Sequence, residues 1–457
     1  MRSWTPEQVA RAAGARLVAL PPSRTGPERV IIDSRLAGPG SLFVGLEGER
    51  ADGGRFAPQA LAAGAWGVLT TPEHAEAARC AVPGTLIAAD DPLAALQRLA
   101  TAWRRALDAR VIGVTGSTGK TSTKDLLLAL LAPHRRTAAS RANYNTEIGV
   151  PLEILSAPAD TEVLVLEMAM RGTGQIAELA RIAEPDVGVI VSIGPVHLEL
   201  LGTVEAVAAA KAELIGALPP GGTAIVPADE PLLEPYRRSD VETVTFGVDG
   251  DVRLVRSSDT HVEIDVRGEP VVLEVPFVQA HLRRNLLPAV AAARAVGVVA
   301  SGRVALELTA GRGQHLALPG GVTLIDGCYN ANPMSMRAAL EDLADTASRT
   351  AGVRPVAVLG DMLELGPGAR EYHLSLGEEV GRAGVEVLVT VGPLAAAIGE
   401  RFDGEVHAVD DASAAAGLVG ELIRPGDLIL VKGSLGVGLA QVCRALTGAA
   451  TPAGTGA

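Results

Sequence analysis

Lysine is nearly absent. Of 40 basic residues in this 457-residue chain only four are lysines: Lys120, Lys124, Lys211 and Lys432. Arginine supplies the generic positive charge, so a lysine marks a place for a compact or neutralisable amine, which a guanidinium does not offer. Aromatic residues make up only 3 %. Cores must then be built from alanine, valine, leucine and glycine, which suits packed α/β layers. The three cysteines, Cys80, Cys328 and Cys443, are far apart and odd in number. No disulfide framework or zinc spacing is present, as expected in a reducing cytosol. No apolar run approaches the length of a membrane span, and the N-terminus has no signal-peptide pattern, so a cytoplasmic protein is expected. The net charge of −13 argues against nucleic acid as the main partner. An anionic ligand must be held by local positive sites, against the overall field.

What is present begins with Gly116-Ser117-Thr118-Gly119-Lys120-Thr121-Ser122. It follows an apolar run at 111–114 and precedes a helical run at 125–131. A strand, a glycine-rich turn, a Lys-Thr pair and a helix make an apparatus for gripping a polyphosphate, with backbone N–H groups and the positive helix end facing the anion. Lys120 would reach the terminal phosphates and the Thr121 hydroxyl would sit on Mg²⁺. The first glycine of the long P-loop pattern falls on Val114 here, with Gly113 one step earlier.

Length and pattern indicate three blocks. The first, 1–107, has short apolar runs at 30–32, 41–44, 66–70 and 85–87 and helical stretches at 6–13 and 92–105. The second, 108–310, starts with a strand at 110–115. It continues with strand-like runs at 162–166, 187–193 and 223–226 separated by helical patterns, which indicates a mostly parallel sheet. Residues 241–278 read as short antiparallel strands, and an alanine-rich helix is expected at 286–296. The third block, 311–457, alternates strands at 322–325, 356–359, 385–391 and 428–431 with helices at 333–347, 369–383 and 412–423. That is a doubly wound sheet. Asn332-Pro333 is a good helix start, with Asn as N-cap and Pro at the first helical position. The tail 451–457 is expected to be disordered.

Several side chains fall at expected strand ends. Glu167 ends the run Val163-Leu164-Val165-Leu166. A carboxylate there, beside a P-loop, can hold Mg²⁺ directly or through water; otherwise it is a polar residue ending a strand. His197, past the run 187–193, lies at the same edge and is read as functional against a structural alternative. Lys211 lies in an alanine-rich helix. It is either a solvated lysine pairing with Glu205 or Glu213, or a buried amine of lowered pKa able to attack CO₂ and form a carbamate, a hard oxygen ligand for Mg²⁺. In the third block, Asp326-Gly327-Cys328-Tyr329-Asn330-Ala331-Asn332-Pro333, Gly360-Asp361-Met362 with Glu364, and Lys432-Gly433-Ser434 all sit at the ligand-binding edge of a doubly wound sheet.

The ordered set resembles the Mur ligases of bacterial cell-wall synthesis over nearly the full chain. The resemblance rests on Asp33-Ser34-Arg35, Gly40-Ser41-Leu42-Phe43-Val44, Gly48-Glu49-Arg50, the loop 116–121, Asn143-Tyr144-Asn145 and Ile148-Gly149-Val150-Pro151. It continues with Glu167-Met168, Ile193-Gly194-Pro195-Val196-His197-Leu198-Glu199, Tyr329-Asn330-Ala331-Asn332-Pro333, Gly360-Asp361-Met362-Leu363-Glu364-Leu365-Gly366 and Lys432-Gly433-Ser434. The shorter Gly-x-x-Gly-Lys-Thr loop of that family accounts for Val114. The chain departs from the family at Arg284 and Pro288, where His and Asn are usual, and at Ala169, Thr146 and Leu435.

The resemblance implies a three-domain α/β fold: a small N-terminal α/β domain, a central mostly parallel P-loop domain and a C-terminal Rossmann-like domain. It implies an ATP- and Mg²⁺-dependent ligase that joins D-alanyl-D-alanine to a UDP-linked muramoyl tripeptide through an acyl phosphate, acting as a monomer on small-molecule substrates. Carried over residue by residue, Gly116 to Ser122, Asn285, Arg312, Asp326, Tyr329 and Asn330 would bind ATP. Thr121 and Glu167 would hold one Mg²⁺, while His197 and carbamylated Lys211 would serve a second. Lys120, Lys211, His197 and Glu167 would carry the chemistry. Ser34, Arg35, Asn143 and Asn145 would bind the UDP-sugar end, and Asn332, Lys432 and Ser434 the acceptor side. Competing readings are the same chemistry with another acceptor, such as a folate or amino-acid polymer, and a P-loop switch ATPase. Asp33-Ser34-Arg35 in a separate N-terminal domain favours the UDP-linked substrate.

Overall fold

In the computed structural model, which describes residues 1, 3–19, 25–49, 51–141 and 143–448, the strands form three sheets. The tail at 451–457 and Arg50 lie outside the described residues. The first sheet runs Arg16–Ala19, Thr85–Ala88, Gly67–Thr70, Ser41–Val44, Arg29–Ile31, parallel except for its first strand. The helix Pro92–Leu107 leaves it, with Asp91 as N-cap and Pro92 at the first position, and buries Leu96, Leu99 and Trp103. Each such side chain contributes about 1.5–3 kcal/mol by leaving water. Trp103 meets Trp4 edge-on at 5.4 Å and donates from Nε1 to Ala157 O at 3.3 Å. Gln97 donates to Glu178 Oε1 at 2.9 Å. One apolar core thus runs from Val9 through Leu99 and Trp103 to Leu155, Leu166 and Leu179, joining the first domain to the second.

The middle sheet has ten strands, in the order Gly302–Arg303, Glu269–Glu274, His261–Val266, Val252–Ser257, Glu242–Phe246, Thr223–Pro227, Val187–Ile190, Arg110–Thr115, Val163–Glu167, Thr137–Ala139. The mostly parallel reading holds. Val114 pairs with Glu167 and Thr115 with Ile190, so the strand before the P-loop ends level with its two neighbours. Three local expectations need correction. Glu242–Phe246 is parallel to its neighbour, and antiparallel pairing starts only at Val252. The strand at 187 stops at Ile190, and the chain then loops toward His197. The alanine-rich helix is Ala280–Ala295, beginning six residues before the expected start at 286, with Pro288 inside it. Proline costs a backbone hydrogen bond there, but the burial of Leu282, Leu286, Leu287 and Val290 overrides it.

The third sheet runs Gln314–Ala317, Thr323–Gly327, Leu428–Lys432, Pro355–Gly360, Val387–Val391, Glu405–Val409, parallel after its first antiparallel strand. Alternate residues feed separate cores on its two faces, Ala357 and Leu359 on one and Val356 and Val358 on the other, as a parallel sheet covered by helices requires. Asn332 caps the helix Pro333–Arg349 in a capping box with Ser335. No helix among the described residues is long and apolar enough to cross a membrane.

Candidate active site

The C-terminal strand ends of the second and third sheets face each other across a cavity of about 950 Å³. The P-loop forms one wall. Gly119, at φ +80°, turns the chain into the helix Lys120–Leu131. A Cβ there would lie 2.7 Å from Asn285 Oδ1 and 2.8 Å from Val191 Cγ1, so only glycine lets the loop pack this closely. Lys120 Nζ reaches back to Gly116 O at 2.8 Å. Burial depresses its pKa, with Arg312 adding to the shift and Glu167 opposing it.

Behind the loop, Thr121 Oγ1 donates to Glu167 Oε2 at 2.8 Å, and Asn145 Nδ2 donates to Glu167 Oε1 at 2.9 Å. Glu167 is only 1 % exposed. A buried carboxylate and a hydroxyl side by side are hard oxygen donors suited to Mg²⁺. Asn145, expected at the sugar, is thus tied to this carboxylate, while Asn143 is exposed on the cavity wall. Lys124 donates to Ser140 O at 2.9 Å, and Ser140 Oγ accepts from Glu167 N at 3.0 Å. That lysine is a structural brace.

The solvated alternative for Lys211 does not hold. The residue is 2 % exposed. Glu213 is occupied in accepting from Gly174 N and Ala177 N at the start of another helix, and Glu205 lies at the exposed N-terminal turn of the lysine's own helix. Among the described residues the amine has no hydrogen-bond or ion-pair partner. Burial and the charge of Lys120 hold its pKa well below the ordinary lysine value. His197 is close enough to feel both lysines, and burial depresses its pKa despite a carboxylate partner. That partner, Glu364 of the third domain, lies 2.5 Å from His197 Nδ1.

On the opposite wall Arg312 stacks its guanidinium 3.8 Å above the Tyr329 ring, and its Nε is buried without a partner. Burial pushes the Tyr329 phenol up. Lys432 Nζ donates to Asn330 O at 2.8 Å, and its pKa falls to about 8 through burial and the nearby Arg312. Ser434 Oγ accepts from Leu363 N at 2.9 Å. Asn332 Nδ2 donates to Ser117 O at 3.3 Å, bridging the two domains.

Six expected residues do not line this cavity: Gly116, Thr121 and Lys211, which are buried beside the lining residues Lys120 and Glu167, and Ser34, Arg35 and Asp326. Ser34 and Arg35 stand on a short helix of the first domain, where Arg35 grips Asp33 at 2.7 Å. Asp326 is turned away: the period of two puts Ile325 and Gly327 on the cavity side and the Asp326 carboxylate behind the strand. There its Oδ1 accepts from Cys328 N at 3.1 Å and from Cys443 Sγ at 3.4 Å. The contact with Cys328, with burial, pushes the Cys443 thiol far up. The group of Asp326, Cys328 and Cys443 is a closed hydrogen-bonded set.

The cavity also gathers residues with no local motif. His281 lies one helical turn before Asn285, and Asp342 lies on a wall stripe with Ser335, Ala338 and Ala339; Arg284, read from the sequence as a departure from the family pattern, joins them. The buried Asp342 carboxylate is held by His315 Nε2 at 2.9 Å. These charges come from separate domains, so no sequence spacing signals them. Glu364 stood within the Gly-Asp-Met-Leu-Glu-Leu-Gly run, but its partner was not legible.

Comparison with known proteins covers the chain in three parts. The profile of the Mur ligase family catalytic domain matches residues 28–104, that of the Mur ligase middle domain 114–293, and that of the Mur ligase glutamate ligase domain 311–435. The chain is 38 % identical over 427 residues to the UDP-N-acetylmuramoyl-tripeptide–D-alanyl-D-alanine ligase of Synechocystis sp., covering 90 % of each. The crystal structure of MurF from Acinetobacter baumannii superposes with a TM-score of 0.85 at 28 % identity, over 97 % of this chain and 99 % of that one. MurF from Thermotoga maritima in complex with ADP gives a TM-score of 0.78 at 27 % identity, over 92 % and 97 %.

Proposed function

The chain belongs to the Mur ligase family, and from that membership and the geometry of the cleft we propose that it is an ATP-dependent ligase adding D-alanyl-D-alanine to UDP-N-acetylmuramoyl-tripeptide in peptidoglycan precursor synthesis. The observation that carries this reading is the meeting of a phosphate-gripping loop with the ligand edge of a second doubly wound domain in one cavity, in a chain collinear with ligases named for that reaction. We place it in the cytoplasm, acting as a monomer.

The terminal carboxylate of the tripeptide takes the γ-phosphoryl group and becomes an acyl phosphate. The free amine of D-alanyl-D-alanine attacks the acyl carbon, and the tetrahedral species collapses to amide and phosphate. The first step brings two anions together, so the site must concentrate positive charge. Lys120, Arg312 and Lys432 supply it against a net charge of −13. Thr121 and Glu167 would hold one Mg²⁺, and His197 and Lys211 a second; bound there, the ions would neutralise the phosphate oxygens. Lys211 fits that role as a carbamate, because its buried amine lacks a counter-ion and its low pKa leaves a nucleophilic lone pair. Asn285, Tyr329 and Asn330 hold the nucleotide, with His281, Arg284 and Asp342 beyond them on the base side. Asp326 supports the strand end from behind. Asn143, with Ser34 and Arg35, holds the UDP-sugar, and Asn332, Lys432 and Ser434 face the dipeptide. The third domain closes the walls around the acyl phosphate and keeps water from it.

The test is the product. Mass spectrometry after incubation with ATP, the UDP-linked tripeptide and D-alanyl-D-alanine should show the pentapeptide. Product with glutamate or another amine, and none with the dipeptide, would reject this acceptor.

A further inference from the structure

The contact between His197 and Glu364 crosses the two domains that must close around the substrates. His197 belongs to the middle domain and heads the short helix Leu198–Leu201. Glu364 follows the third-domain strand Pro355–Gly360. Both hold left-handed backbones, φ +52° and φ +63°. For residues other than glycine such a backbone is strained, and the strain persists where the surroundings over-determine it. Here they do. Glu199 N donates to Glu364 O at 3.2 Å, a Cβ added at Gly366 would lie 3.3 Å from Glu199 Cα, and the Glu364 carboxylate is bracketed by two middle-domain groups. His197 Nδ1 lies 2.5 Å from Oε2, and Arg171 Nε 3.5 Å from Oε1.

A histidine that donates from one ring nitrogen to a carboxylate presents the lone pair of the other, with its ring fixed. We propose that Glu364 is a positioning residue for His197, supplied by the third domain, so that domain closure itself completes the second metal position. In the open arrangement the imidazole loses the partner that sets its tautomer and orientation. The γ-phosphate is then met by a fully formed cation site only after the third domain has arrived. Phosphoryl transfer to water in the open enzyme is thereby disfavoured, without any group having to sense the acceptor directly. The inference rests on the proposed role of His197 as a metal ligand.

The test is Mn²⁺ binding to the full chain with a non-hydrolysable ATP analogue, followed by electron paramagnetic resonance, which reads metal occupancy independently of turnover. The wild type should bind a first and a second ion. Glu364→Ala should weaken the second by about 10- to 100-fold and leave the first, held by Thr121 and Glu167, unchanged. His197→Ala should do the same, and the double variant should be no worse than the single ones, as expected of residues acting as a unit. Glu364→Gln, which keeps an acceptor oxygen, should recover part of the affinity. Glu364→Ala binding both ions as the wild type does, beside a weakened His197→Ala, would overturn the positioning role alone. Unchanged binding in His197→Ala would instead remove the metal role on which it rests.

Discussion

In the proposed mechanism Lys211 concentrates the chemistry of the second metal position in one amine. It is buried beside Lys120 with no counter-ion among the described residues, and replacing it would remove the proposed carbamate. Lys211→Ala should lower turnover by about 100-fold, the upper range for loss of a metal-site partner. Added formate or acetate should restore part of the rate by supplying the missing carboxylate. Full activity in the variant, measured as phosphate release, would refute the role. Lys432 makes a second prediction through its pKa of about 8. Below that pH the folded enzyme holds the ammonium, and above it the charge is lost, so the rate should fall as pH rises through about 8; Lys432→Arg should remove that limb. The stability sign is opposite. The folded pKa lies below the unfolded value of 10.5, so burial penalises the charged lysine most at low pH, and stability from this group rises between about pH 8 and 10.5. The scarcity of lysine made these residues legible in the sequence. His281 and Asp342 were not, because they reach the cavity from elements that meet only through domain packing.

At the scale of elements, the P-loop and its helix act as one rigid grip. Gly119→Ala would place a methyl group on Asn285 and Val191 and force an alanine to φ +80°. We expect a stability loss of about 1–2 kcal/mol and at least tenfold weaker nucleotide binding, read by thermal unfolding and by titration with ADP. Wild-type affinity in that variant would mean that the loop does not hold the nucleotide. This strand, loop and helix were legible because each signal is local: an apolar run, two glycines and a Lys-Thr pair. The helix Ala280–Ala295 was legible only in its alanine-rich half. Its first six residues, 280–285, which carry His281, Arg284 and Asn285 to the cavity, fall before the expected start at 286, where the arginines and Pro288 weaken the helical pattern. They are helical because tertiary burial outweighs that local preference. The turned carboxylate of Asp326 has the same kind of cause. A strand end shows where a residue sits, but only the register shows which face it takes.

For the whole molecule, the first two domains share a core, whereas the third has its own on both faces of its sheet and meets the others mainly around the cavity. Calorimetry should therefore resolve two transitions, one for the first two domains together and one for the third, with nucleotide raising both. A single two-state transition would contradict this division. The three-part α/β plan was legible because strand and helix patterns alternate along the chain, while the facing of the third domain's strand ends toward the P-loop was not, since no local pattern encodes a relation between domains. That facing underlies the central claim of one site making one amide bond. The most direct measurement is phosphate release from ATP with the UDP-linked tripeptide and D-alanyl-D-alanine supplied together and separately. We predict rapid release only with both, one phosphate per amide formed; ATP turnover indifferent to the two substrates would contradict it.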